Sequence, residues 1–141
     1  MHRRVLGIGI GLIALVLPAC SYTPSALEAW PEKSSCGRYE NLNEPVSADQ
    51  TRMDRCLLDA VAAGRPAQLT RTSATIEGDP ITEYYRVLGP GRVEVFIDST
   101  RDSFGSREWT HMLCEEVADD GGSLYAVFET CREIPVDEIV E

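Results

Sequence analysis

The chain has 141 residues, room for one domain of ordinary size. Apolar residues at 43% and charged residues at 26% describe a globular composition and exclude wholesale disorder. Thirteen Lys and Arg stand against 23 Asp and Glu; the net charge of −10 repels phosphate backbones and argues against nucleic acid as a partner.

His2, Arg3 and Arg4 make a short positive start, the apolar run Val5 to Leu17 follows, and the segment closes on Pro18, Ala19 and Cys20. This is the layout of an export signal, because positive charge resists translocation while the apolar run partitions into the bilayer. Val5 to Ala19, with three Gly, falls short of the roughly 20 residues of a spanning helix. A cleaved signal without lipid and an uncleaved anchor are the plain alternatives. Leu17, Ala19 and Cys20 resemble the lipobox of bacterial lipoproteins, with Pro18 departing from the usual pattern. The resemblance implies a signal peptide over 1–19, a diacylglyceryl group on the Cys20 sulfur, and anchorage at the extracytoplasmic face of the cell membrane. Two acyl chains anchor durably, since each buried methylene contributes about 0.8 kcal/mol.

A mature chain starting at Cys20 loses Arg3 and Arg4, so its charge falls from −10 to −12. Residues 20–35 hold Pro24, Pro31 and several small polar residues beside Trp30, which predicts a flexible tether; a single domain is expected over 36–141. Four cysteines remain: Cys36, Cys56, Cys114 and Cys131. An even number in an exported domain predicts two disulfides, with three pairings open. Cys36–Cys56 and Cys114–Cys131 are favoured, because each closes a local loop and the second flanks a hairpin. Such loops contribute on the order of 3 kcal/mol each. Long spacings, no Cys-x-x-Cys and a single mature His, His111, argue against zinc.

A helix is predicted over Ala48 to Ala63, with Ser47 and Gln50 as a capping box and Gly64 and Pro66 as the stop. Met53, Cys56, Leu57, Ala60 and Val61 form its apolar face. Strands follow over Gln68 to Ile76, Ile81 to Leu88 and Arg92 to Asp98, separated by turns at Glu77 to Pro80 and Gly89 to Gly91. Val93, Val95 and Ile97 alternate with Arg92, Glu94 and Asp98, as in a hairpin with one buried face. Arg107 to Val117 fits either a helix or a strand, and the Asp119 to Gly122 turn with a strand over Leu124 to Thr130 favours the strand. That second hairpin brings Cys114 towards Cys131. The tail from Arg132 to Glu141 is expected to pack loosely or fray. The sum is an α+β domain: one N-terminal helix, then a mostly antiparallel sheet of about five strands, stapled by disulfides.

Gly78 to Ile81, then Asp98, Thr100, Arg101, Asp102, Phe104 and Gly105, then Cys114 and Cys131 resemble, in order and spacing, a family of small lipoproteins of Gram-positive bacteria. That family is known only as a domain of unknown function. Its members share a Gly-Asp-Pro-Ile turn, an Asp-x-Thr-Arg-Asp segment with an aromatic and Gly, and two late cysteines. The likeness spans about Ala67 to Cys131, and Cys36 and Cys56 look like an addition that many members lack. It implies the address and the fold and brings no activity.

No catalytic constellation is evident and no cofactor is expected. His111 has no nucleophile motif beside it, and adjacent carboxylates such as Glu115 and Glu116 point apart on a strand. Asp98, Thr100 and Asp102, with Glu77 or Asp79, offer oxygens to a cation such as Ca²⁺ if the loop curls; capping of the chain's own turns is the simpler role. Tyr84, Tyr85, Trp109, Tyr125 and Phe128 offer aromatic surface to a ligand unless loops or the tail cover them. These features predict a non-catalytic, lipid-anchored envelope module that binds or modulates an envelope protein. A small-ligand or Ca²⁺ binder stands second, and an enzyme third.

Overall fold

The structure, a computed structural model, describes residues 22–31, 35–42, 44–117 and 124–141. The signal segment, Cys20 and the Asp119 to Gly122 turn lie outside the described residues, as do the side chains of Tyr125 and Ala126. Two α-helices, α1 (Ser25–Glu28) and α2 (Ala48–Ala62), and a 3-10 helix (Leu124–Thr130) accompany six strands: β1 (Ser35–Asn41), β2 (Gln68–Ala74), β3 (Pro80–Gly89), β4 (Arg92–Asp98), β5 (Trp109–Cys114) and β6 (Cys131–Ile134). They form one sheet in the order β1-β2-β3-β4-β5-β6. β1 lies parallel to β2 through the α2 crossover, and every later pair is antiparallel.

Helix α2 begins as its sequence dictates. Ser47 Oγ accepts from the Gln50 N–H while Gln50 Oε1 accepts from the Ser47 N–H, so two of the first turn's unpartnered donors are satisfied. It ends at Ala63, after which the Gly64 N–H reaches the Val61 carbonyl and the Arg65 N–H reaches Ala60. This Schellman arrangement needs a left-handed residue at Gly64, where φ is 61°. A Cβ there would also stand 2.6 Å from Pro90 Cγ in the β3–β4 turn. Helix end and hairpin turn therefore fit together only through a glycine.

Leu57, Leu58, Ala60 and Val61 of α2 pack on Leu69, Tyr85, Val87, Val93 and Val95, which share one face of the sheet through the register Leu69↔Tyr85↔Val95. Cys114 and Cys131 sit opposite each other on β5 and β6 and are bridged there. Cys36–Cys56 joins β1 to α2, with the Cα atoms 5.6 Å apart. The two local pairings expected from loop length are those formed. Cys56 is itself exposed, at the margin of the apolar face and not in it, because its partner is the edge strand β1.

Four expectations are corrected. The stretch read as a tether is part of the domain over Tyr22 to Pro31, with Pro24 and Ala26 buried, and Ser35 opens a strand. Small residues and prolines there serve close packing on a sheet, a use that composition does not separate from flexibility. Leu124 to Thr130 is a 3-10 helix, and Cys131 to Ile134 is the strand that pairs with β5. The β3–β4 hairpin has both faces covered, because Glu94 and Phe96, opposite Val93 and Val95, are buried as well. The tail is held. Asp137 accepts from the Tyr22 hydroxyl (2.7 Å) and from Ser25 N and Oγ (2.9 Å each), and the Val140 carbonyl accepts from Arg86 at 3.0 Å. Both ends of the described chain thus lie across the sheet face opposite α2.

Candidate functional site

Under those two segments runs a charged row. Glu94 is fully buried; one carboxylate oxygen takes Arg86 Nε at 2.6 Å and the other faces His111 Nε2 at 2.8 Å. His111 Nδ1 lies 3.0 Å from the Pro135 carbonyl. Both ring nitrogens thus have an oxygen within hydrogen-bond distance. Phe96 stacks on His111 at 3.9 Å between centroids, and the Trp30 edge meets Phe96 at 5.6 Å. Arg86 sits 5.1 Å from the Trp30 ring centre. The His111 imidazole is closed from solvent and holds the tail to the sheet.

A second buried pair lies on the α2 side, where Arg71 meets Glu83 and the Tyr85 hydroxyl donates to Glu83 at 3.1 Å. Nearby, the Tyr39 hydroxyl donates to Asp54 at 2.6 Å. Burial, with Asp54 beside it, pushes the Tyr39 hydroxyl well above the usual phenol range, and burial also raises Asp54. Glu83 occupies the core face predicted for Ile81, Tyr85 and Val87, so its burial was legible from alternation alone.

The loop oxygens are committed to their own turns. Asp98 Oδ1 accepts from the N–H (3.0 Å) and hydroxyl (2.6 Å) of Thr100. Asp102 Oδ1 accepts from the N–H groups of Phe104 and Gly105, each at 2.9 Å, and Asp79 Oδ2 accepts from Ser103 N–H at 2.7 Å. Among the described residues no group of three or more His, Cys, Asp or Glu side chains is placed to hold a metal. Asp98, Thr100 and Asp102 therefore shape the β4–β5 loop, and Asp79 ties that loop to the β2–β3 turn.

The aromatic residues divide between the faces. Tyr85 is fully buried against α2 and packs near Phe128 at 6.1 Å, so it offers no surface. Tyr84 and Trp109, on the other face, stack at 5.8 Å with 30° between their planes. They line a groove of about 670 Å³ whose other walls include Tyr22, Asp98, Arg107 and Glu108. The Trp109 indole N–H donates to the Tyr22 carbonyl at 2.9 Å, which makes the N-terminal segment one side of the groove. Burial and the Asp98 charge hold the Tyr84 hydroxyl above its usual range. Arg107 stands in the left-handed region, φ 55°, a conformation that non-glycine residues adopt at a cost of about 1–2 kcal/mol. Tyr84 and Trp109 were singled out from sequence; Tyr22, Arg107 and Glu108 were not, since nothing local marks residues brought together by register and by a returning terminus.

No family model, no curated protein and no solved structure matches this chain. No helix among the described residues is long and apolar enough to cross a membrane.

Proposed function

We propose that the protein is a lipid-anchored lipoprotein of the extracytoplasmic membrane face whose folded domain is a non-catalytic binding module, with the Tyr84–Trp109 groove as its site. The anchor reading is supported by the basic start, the apolar run and Leu17-Pro18-Ala19-Cys20, and by two disulfides of the kind that persist outside the cytosol. The binding reading is carried by one observation: a stacked Tyr–Trp pair beside carboxylates and a strained Arg, in a concavity of ligand-binding size. His111 and Glu94, the groups best suited to proton transfer, are buried in structural contacts. The partner favoured is an envelope protein that places a side chain in the groove.

A small ligand is the second reading, favoured by the groove's volume, which lies within the range of about 300–1,000 Å³ typical of small-molecule sites. Crosslinking of the lipidated protein in its membrane, followed by capture, separates the two. A reproducible partner lost with Trp109→Ala supports the protein-binding reading. Capture no better than that of an unrelated lipid-anchored control overturns it, and thermal-shift screening then addresses the ligand.

A further inference from the structure

The course of the chain sets which end of the fold the described residues start from, two residues after Cys20 in the sequence. The Tyr22 carbonyl is bonded to Trp109, the first residue of β5, which lies opposite Asp98, the last of β4. From there the chain crosses the sheet face to Pro31, whose carbonyl meets Gln68 at the start of β2, the opposite end of the sheet. The described chain therefore enters at the end that carries the β2–β3 turn and the β4–β5 loop. Cys20 precedes Tyr22 by two residues, a reach of at most about 7 Å even when fully extended.

Apolar side chains gather at that same end. Six large ones are exposed among the described residues, and Tyr22, Leu42, Val46, Ile76 and Phe104 stand there; Ile139 alone does not. Ile76 in the β2–β3 turn is 101% exposed and Phe104 in the β4–β5 loop 78%. The Ser103–Asp79 hydrogen bond ties the two loops together. Arg101 and Arg107, both exposed, flank Phe104 at three residues on either side. Single exposed apolar residues need no explanation, but five at one end of the sheet, where the described chain also begins, do.

We propose that this end of the sheet docks on the bilayer, with Ile76 and Phe104 entering the interfacial region and Arg101 and Arg107 meeting lipid phosphates. The groove then opens at the membrane surface. The proposal rests on the lipoprotein reading of Cys20. Glu44, Glu77 and Glu108 stand at the same end, so attraction to anionic lipid is not the driving force. Apolar burial is, assisted by an anchor that holds the loops at high effective concentration beside the lipid.

Hydrogen exchange tests it, with lipidated full-length mature protein in phosphatidylcholine–phosphatidylglycerol vesicles and the Cys20→Ala mature chain free in buffer. Exchange over Thr75–Asp79 and Ser99–Glu108 is expected to slow about tenfold on vesicles, with Gly89–Arg92 and Glu115–Val117 unchanged. The Ile76→Ser/Phe104→Ser variant, still anchored and with its melting temperature retained, is expected to lose that slowing. Equal exchange in anchored and free chains, equal slowing at both ends, or slowing that survives in the double variant overturns the docking. Intact mass separates the two readings: a chain without the diacylglyceryl group sinks the anchor and the docking together, whereas a lipidated chain without protection sinks the docking alone.

Discussion

Glu94 carries more of the second face than any other side chain. It is buried between Arg86 and His111, and removing one partner of such a group leaves the others desolvated and uncompensated. Glu94→Ala is therefore expected to cost about 3–5 kcal/mol in urea unfolding. Asp137 acts differently, because it is exposed. Hydrogen bonds from Tyr22 and Ser25 hold its carboxyl below the usual carboxylate range. A carboxylate depressed in the folded state adds stability at pH above its unfolded value, and that stability is lost as pH falls through the folded value. The Tyr22–Ser25 segment is thus expected to loosen as pH drops below about 4. The amide resonance of Ser25 should follow that titration, and in Asp137→Asn it should not.

Among the elements, α2 was readable nearly to the residue because its signals are local: a capping box, an apolar stripe and a glycine stop. The same holds for β3 and β4, which alternate around a Gly-Pro-Gly turn. β1 was missed. Its run of Ser, Cys, Gly, Arg, Tyr, Glu and Asn has no apolar alternation, and its pairing with β2 is set through α2 across the chain. The 3-10 helix was misread as a strand although Leu124, Val127 and Phe128 recur at helical spacing. Gly64 joins two elements at once. Gly64→Ala forces a side chain into a left-handed position and against Pro90, and is expected to destabilise the domain by about 2 kcal/mol, read as a lower urea midpoint with unchanged slope.

The whole molecule is a three-layered arrangement: α2, the sheet, and the two terminal segments crossing the sheet's other face. The outer layer has no independent core, since it is held by hydrogen bonds donated to Asp137 and to the Val140 carbonyl and by Trp30 on Phe96. Deleting 136–141 removes two of those ties. The melting temperature is expected to fall by several degrees, and binding of an apolar dye to rise as Phe96 becomes accessible. Truncation would also open the groove, one wall of which belongs to the N-terminal segment that Asp137 secures.

Local chemistry determined what could be read directly from the chain: the caps and stop of α2, the β3–β4 hairpin, and two disulfides closing short loops. Tertiary structure alone decided that the presumed tether is a layer of the fold, that Glu94 and His111 are interior, and that Tyr84 and Trp109 share a groove with Tyr22. The reason is physical. Caps, turns and alternation act over a few residues, whereas the burial of a charge depends on which distant segment returns to cover and pair it.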